Sequence, residues 1–197
     1  MRYAKGHKKA TRQEILAAAA RAFRAHGLAG ISISDLMKEL GLTHGGFYAH
    51  FKSKDALIAE MMKQAGGSAS AARLAQAASS ALPSQELAGV IRQYLSSDHR
   101  DHPDIGCLLP ALAGEVARQE RPVRKAFTRA FTGMLAWMSG VRAGQEREEF
   151  DESLIPLLAT MVGAISLARA VDDAQLSERI LTLCRDHLLA QVAREEQ

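Results

Sequence analysis

Two stretches of the sequence gather side chains able to do chemistry. The first is GLTHGGFYAHF, residues 41–51, which places Thr43, His44, Tyr48 and His50 around the adjacent glycines Gly45 and Gly46. Hydroxyl and imidazole donors beside a bare backbone suit phosphate oxygens and base edges. They do not suit a metal: on a helix, His44 and His50 point about 240° apart at 3.6 residues per turn. The second stretch is SSDHRDHPDIGC, residues 96–107. Here His99, Arg100 and His102 precede Cys107 at an expected helix start, where a thiol can have its pKa lowered and its reactivity raised. The alternative is a buried structural thiol. Asp98, His99, His102 and Cys107 together could hold a metal, but a solvated loop explains them better, and no metal site is expected. Cys184 lies on an apolar stripe and reads as core.

The elements that must position the first stretch are legible from caps and stops. A first helix is expected to open at TRQE, with Thr11 as N-cap and Glu14 closing a capping box. Ile15, Ala19 and Phe23 then share one face, and Gly27 ends it. Ser32 caps a second helix, with Asp35 completing the box and Ile31 stapled to Leu36; Gly41 stops it. Thr43 caps a third, carrying His44 to His50, with Leu42 stapled to Phe47. Ser53 starts a fourth. Leu36, Met37 and Leu40 are expected to pack on Ile15, Phe23, Phe47 and Phe51, so that the third helix projects outward. That is a helix-turn-helix. Gly45 and Gly46 fall in the first turn of its third helix, at a cost of about 1 kcal/mol each relative to alanine. In return the backbone can approach DNA closely, and the helix N-terminus offers free N–H groups to phosphate. Tyr48 can donate its hydroxyl while its ring rests on the core edge, and Lys54 adds a cation. Arg2, Lys5, His7, Lys8 and Lys9 form a basic arm before the first helix. Such an arm can enter a minor groove or simply act as a solvated tail.

Charge supports a polyanionic partner. Residues 1–63 hold 11 Lys/Arg and 5 Asp/Glu, a net of +6, whereas residues 64–197 hold 14 and 17, a net of −3. At 197 residues, 47% hydrophobic and 24% charged, the chain can build a sizeable core. No signal-peptide core follows the basic start, and no uninterrupted apolar run of membrane-spanning length is evident, so a cytoplasmic protein is expected. Two cysteines make no disulfide framework.

Strand signals are scarce, and after the small-residue segment 64–83 helices are expected at about 85–97, 106–119, 122–142, 153–171 and 174–194. The last two are strongly apolar, the final one carrying Leu176, Ile180, Cys184, Leu188 and Val192 four residues apart. Leu108, Leu112, Phe127, Phe131, Met134, Trp137 and Met138 are candidate lining for an effector pocket, and equally good core. No phosphate-binding loop, paired-cysteine zinc pattern or nucleophile elbow occurs, so no catalytic residues, cofactor or enzyme activity are expected.

The segment ISISDLMKELGLTHGGFYAHFKSKDAL, with Thr43, Gly45, Phe47, Tyr48, His50, Phe51 and Lys54 in register, resembles the DNA-binding region of TetR/AcrR-type transcriptional repressors. The likeness covers about residues 11–60. It implies an all-α homodimer: a helix-turn-helix domain over residues 1–60 and a helical effector-binding and dimerisation domain over 61–197. It implies that Ser32, Thr43, Tyr48 and Lys54 meet the DNA backbone and that His44, Gly45 and Gly46 lie nearest the bases. A glycine cannot read a base by side chain, which shifts readout to His44 or to the arm. The resemblance also implies a four-helix bundle made by the last two helices across a two-fold axis, and a near-palindromic operator. The phrase around Gly106, Cys107 and GEVARQ is similar to a subgroup in which a cysteine here senses electrophiles or oxidants. The expected function is a repressor released by a small-molecule effector or by cysteine modification. An architectural DNA protein without an effector, or an all-α enzyme using the body pocket, are the alternatives.

Overall fold

The computed structural model describes residues 5–65, 83–145 and 147–195, and among these it contains helices and no strand. The helices are α1 (Lys5–His26), α2 (Ile33–Glu39), α3 (His44–Phe47), α4 (Lys54–Ala65), α5 (Pro83–Tyr94), α6 (Ser97–Asp101), α7 (Leu108–Val116), α8 (Arg121–Ala143), α9 (Ile155–Ala170) and α10 (Ala174–Glu195). Short 3₁₀ turns at Pro103–Ile105 and Glu152–Leu154 precede α7 and α9. Arg2 of the expected arm lies outside the described residues.

The start of α1 corrects the sequence reading. Thr11 is not an N-cap. It is buried in the helix interior, and its hydroxyl donates to the carbonyl of His7, one turn back, at 3.1 Å. The run KKATRQE contains no helix breaker, so the helix extends to Lys5. Lys8 and Lys9 are therefore exposed on a helix, not on a free arm.

The other local signals hold. Gly27 and Gly41 take φ of +76° and +68°, the left-handed conformation that ends a helix. Ser32 Oγ accepts from the Asp35 amide at 3.1 Å, and its hydroxyl donates to the Asp35 carboxylate at 2.6 Å. The Ser32 hydroxyl, then its amide, hold the Asp35 carboxyl below the usual range, so both halves of the capping box are made. Ser53 Oγ accepts from the Ala56 amide at 3.1 Å at the start of α4.

Phe23, Ile15, Leu36, Met37, Phe47 and Phe51 are buried together, and Leu57, Ile58, Met61 and Met62 of α4 continue the same core into the body. There α4 lies along α8, α9 along α10, and α5 against both α8 and α10. Residue 60 falls within α4, which contacts α1 on one side and α8 on the other. The expected helix over 85–97 is broken: α5 ends at Tyr94, and Ser96 caps the short α6 by accepting from the His99 amide at 3.1 Å. Although interrupted by charges at Glu152 and Arg169, the segment Glu152–Ala170 is long and apolar enough to cross a membrane by length and composition. Here one face of it packs into the body, with Leu158, Met161 and Ile165 fully buried.

Candidate nucleic-acid interface

The α3 turn is held from beneath and open above. Thr43 Oγ1 accepts from the Gly46 amide at 3.2 Å, and Phe47 is fully buried. The helix is a single turn; Tyr48–His50 continue as turn, so it is shorter than expected, as two glycines in its first turn disfavour propagation. The glycines differ in their surroundings. A Cβ on Gly45 would meet nothing within 4 Å, whereas one on Gly46 would stand 3.3 Å from Thr43 Oγ1 and 3.9 Å from Met37 Cε. Gly45 thus faces outward and Gly46 inward. Tyr48 is 57% exposed, its ring edge-on to Phe47 at 5.3 Å and to His44 at 5.6 Å. His44, Gly45, Tyr48, Thr43 and Ser32 all lie at the surface.

Lys54 and His50 are more deeply engaged. Lys54 Nζ donates to the Ile31 carbonyl at 2.6 Å and sits 5.5 Å from the Phe23 ring centroid, tying the start of α4 to the chain entering α2. His50 is half-buried, and its Nδ1 is buried without a partner. Burial, then the nearby Lys8, Arg12 and His7, lower the pKa of its imidazole.

The Cys107 region is organised around a buried histidine. His99 Nδ1 donates to the Tyr94 carbonyl at 2.7 Å, and Nε2 accepts from the Cys107 amide at 3.0 Å, which fixes a neutral ring. A Cβ on Gly106 would stand 2.6 Å from His99 Cδ2, so the backbone there must be bare. Cys107 does precede α7 as its N-cap, but it is only 4% exposed. Burial raises the thiol pKa, outweighing the lowering effects of the Tyr94 hydroxyl and the Leu109 amide. The lowered pKa expected at a helix start is thus reversed by desolvation. His102 is exposed, so His99, His102 and Cys107 do not converge, and no group of three or more metal-ligating side chains exists among the described residues.

The expected effector lining is core. Leu108, Leu112, Met134 and Met138 are buried, with Phe127, Phe131 and Trp137 half-buried against them. An open groove of about 690 Å³ instead lies between α4 and α8, lined by Ala56, Ala59, Glu60 and Lys63 on one side and Pro122, Lys125, Ala126 and Arg129 on the other.

Comparison with known families decides what this arrangement is. Residues 15–61 match the model of bacterial regulatory proteins of the tetR family, and residues 83–184 match the tetracyclin repressor-like C-terminal domain. The chain belongs to the tetR family. It is a DNA-binding transcriptional regulator and not an enzyme. Among curated proteins, none matches the sequence. Solved structures of tetR-family fold superpose over nearly the whole chain. The reduced form of NemR from E. coli gives a TM-score of 0.73 at 23% identity, covering 91% of this chain and 95% of that one. A TetR regulator from Chloroflexus aurantiacus gives 0.72 at 25%, covering 95% and 96%. FadR from Bacillus subtilis, in complex with stearoyl-CoA, gives 0.58 at 22%, covering 87% and 96%.

In this tetR-family chain one residue important to the interface was missed from sequence. Arg12 donates to the His50 carbonyl and pairs with Glu60, and its guanidinium lies 4.0 Å from the Phe51 ring centroid. It clamps α1, the α3 turn and α4 together. Its partners are 38 and 48 residues away, so no local pattern marks it.

Proposed function

We propose that the chain represses transcription by binding a near-palindromic operator as a homodimer and is released by a small-molecule effector. The observation that carries this reading is the α3 turn: capped by Thr43, anchored by Phe47, and open at Gly45 with Tyr48 standing beside it. In this reading His44 and the Gly45–Gly46 backbone approach the bases, while Ser32, Thr43, Tyr48 and Lys54 meet phosphates. Lys8 and Lys9 add cations from α1, and His50 supports the turn at its edge. Such a regulator works where the DNA is, in the cytoplasm. The test is titration into labelled DNA from the chain's own upstream region against a scrambled duplex at two salt concentrations. Selective binding supports the reading. Equal, weak, salt-sensitive binding to both favours an architectural role.

Dimerisation through α9 and α10 is supported by apolar side chains left at the surface: Leu167 is 59% exposed, Leu183 62% and Leu176 43%. Leu167→Asp with Leu183→Asp is expected to give a folded monomer by sedimentation and, by loss of the second half-site, operator binding weaker by on the order of a thousandfold. A double variant that remains dimeric removes this interface.

A second route of release, through Cys107, is supported by a further observation. The buried Tyr94 hydroxyl faces the thiol, and Nη1 of Arg169 is buried without a hydrogen-bond partner. One is a donor already turned to the sulfur and the other an unused donor nearby, where a modified sulfur would carry oxygen or charge. The resting thiol is protonated and enclosed, so in a Cys184→Ser background Cys107 is expected to react with a thiol reagent on the order of a hundredfold more slowly than in the urea-unfolded chain. If Cys107→Ser leaves DNA as readily as wild type under hypochlorite or reactive aldehydes, this route is excluded.

A further inference from the structure

The body grips the helix-turn-helix in two ways that differ physically. One is packing: α4 lies along α8, where Met61, Met62, Val123 and Ala126 are buried, and α1 lies against α7 and the Pro103–Ile105 turn. Apolar burial is non-directional, and packed helices keep their crossing angle only within a scatter of about 15–20°. The other is directional. Glu115, in the last turn of α7, accepts from the Leu28 amide on Oε1 and from the Ala29 amide on Oε2, each at 3.0 Å. The carboxylate lies flat against Gly27: a Cβ there would stand 2.2 Å from Oε1. Gly27 therefore serves the end of α1 twice, through its left-handed φ and through the room it leaves.

The two amides begin the five-residue connection, residues 28–32, that ends at the α2 cap, Ser32. Its far end is held by the bond from Lys54 of α4 to the Ile31 carbonyl. A second tie runs from the body to α1, where Arg24 Nε donates to the Asp104 carbonyl at 2.7 Å. Asp104 and Glu115 flank Cys107 and α7, so this segment is fastened to the end of α1 at both its ends. Of the two ties from the segment 104–115, only Glu115 reaches the chain entering α2.

We propose that Glu115 is a positioning residue for operator binding: its paired bonds to Leu28 and Ala29 fix the angle at which each body presents its helix-turn-helix, and so fix the half-site spacing the dimer accepts. This rests on the reading of the chain as a dimeric operator-binding regulator. Without the carboxylate, the helix-turn-helix still folds on its own core, still packs through α4 and α1, and keeps the bond from Arg24 to Asp104. Its range of angles widens once the chain entering α2 is no longer held to α7, and binding must select from that range, which lowers affinity for the matched spacing and weakens discrimination against others.

The experiment starts with a duplex selected from a randomised pool by the wild-type protein, followed by two duplexes with the half-sites one base pair closer and one base pair further apart. Fluorescence anisotropy on all three is compared for wild type, Glu115→Ala and Glu115→Gln. The alanine variant is expected to bind the selected spacing on the order of tenfold more weakly, with a flattened preference among the three. The glutamine variant, which keeps one acceptor oxygen, is expected to lie between; it carries the test if the alanine variant does not fold. Unchanged affinity and spacing preference overturn the proposal. So does a loss by the same factor at every spacing, which marks a general loss of fold. Failure of the wild type to select any duplex overturns the operator reading and this proposal with it, whereas a selecting wild type with unaltered variants overturns this proposal alone.

Discussion

Gly45→Ala makes the protein more stable and a poorer DNA binder. A Cβ at this position has nothing within 4 Å, and Gly45 is not among the glycines with positive φ, so alanine enters without strain. Replacing glycine by alanine in a helical turn is worth about 0.5–1 kcal/mol, through helix propensity and the reduced entropy of the unfolded chain. For a chain of this size that is a rise of roughly 2–4 °C in Tm per kcal/mol. A residue conserving fold alone would gain from the change, so the glycine's use lies outside the fold. If the backbone at Gly45 approaches DNA, each added atom weakens binding. Gly45→Glu, which also sets a carboxylate against phosphates, is expected to weaken operator binding by on the order of a hundredfold with Tm unchanged or higher. Gly46→Ala is the contrasting control. Its Cβ would press on Thr43 Oγ1 at 3.3 Å, endangering a cap worth about 1 kcal/mol, so the helix-propensity gain is offset and Tm is not expected to rise. Melting curves and anisotropy on the same preparations separate the two. A Gly45→Glu variant that binds like wild type places the DNA elsewhere on the molecule.

What was legible in the sequence was what is decided locally. Ser32, Thr43 and Ser53 cap, and Gly27 and Gly41 stop, because each acts on backbone within three or four residues. Thr11 misled for the same reason: a threonine followed three residues later by glutamate looks like a cap, but nothing upstream breaks the helix, and its hydroxyl turns back to His7. Features set by distant chain were not legible. Arg12 looked like one more cation and is instead committed to His50, Glu60 and Phe51. Lys54 was read as a cation for phosphate, and spacing gave no sign that one of its three N–H groups holds the Ile31 carbonyl. The Cys107 thiol could be read as acidified by its helix or as a buried structural thiol; the enclosure that raises its pKa comes from the surrounding core, which spacing does not reveal. The expected pocket residues turned out to be core because a large apolar side chain lines a cavity or fills one with the same composition.

The buried His99 makes the protein acid-sensitive in a defined window. Its ring is neutral, with Nδ1–H donating to the Tyr94 carbonyl and Nε2 accepting from the Cys107 amide. Protonation would remove that acceptor and place a charge in a buried site near Arg169. Burial first, and Arg169 second among the lowering influences, bring its pKa from 6.5 to about 4, against the raising effects of the Tyr94 carbonyl and Asp98. A depressed folded pKa means that the unfolded chain binds the proton more tightly. The stabilisation is therefore complete above pH 6.5, falls as pH drops from 6.5 towards 4, and does not change further below that from this group. Its full extent is about 3 kcal/mol. His50, whose pKa is also lowered, adds a smaller contribution of the same sign. Asp35 and Asp101, whose carboxyls are held below the usual range, lose their contributions only at lower pH. Urea unfolding at fixed protein concentration should thus show wild type losing most of this stability between pH 7 and pH 4.5. His99→Gln should start less stable at pH 7, since the Cys107 amide loses a well-placed acceptor, and should show a much shallower slope over the same interval. Parallel slopes for the two proteins would mean that His99 is already charged or solvated in the folded state. In that case the Tyr94, His99 and Cys107 arrangement would no longer account for the bare backbone at Gly106 or for the enclosed thiol beside it.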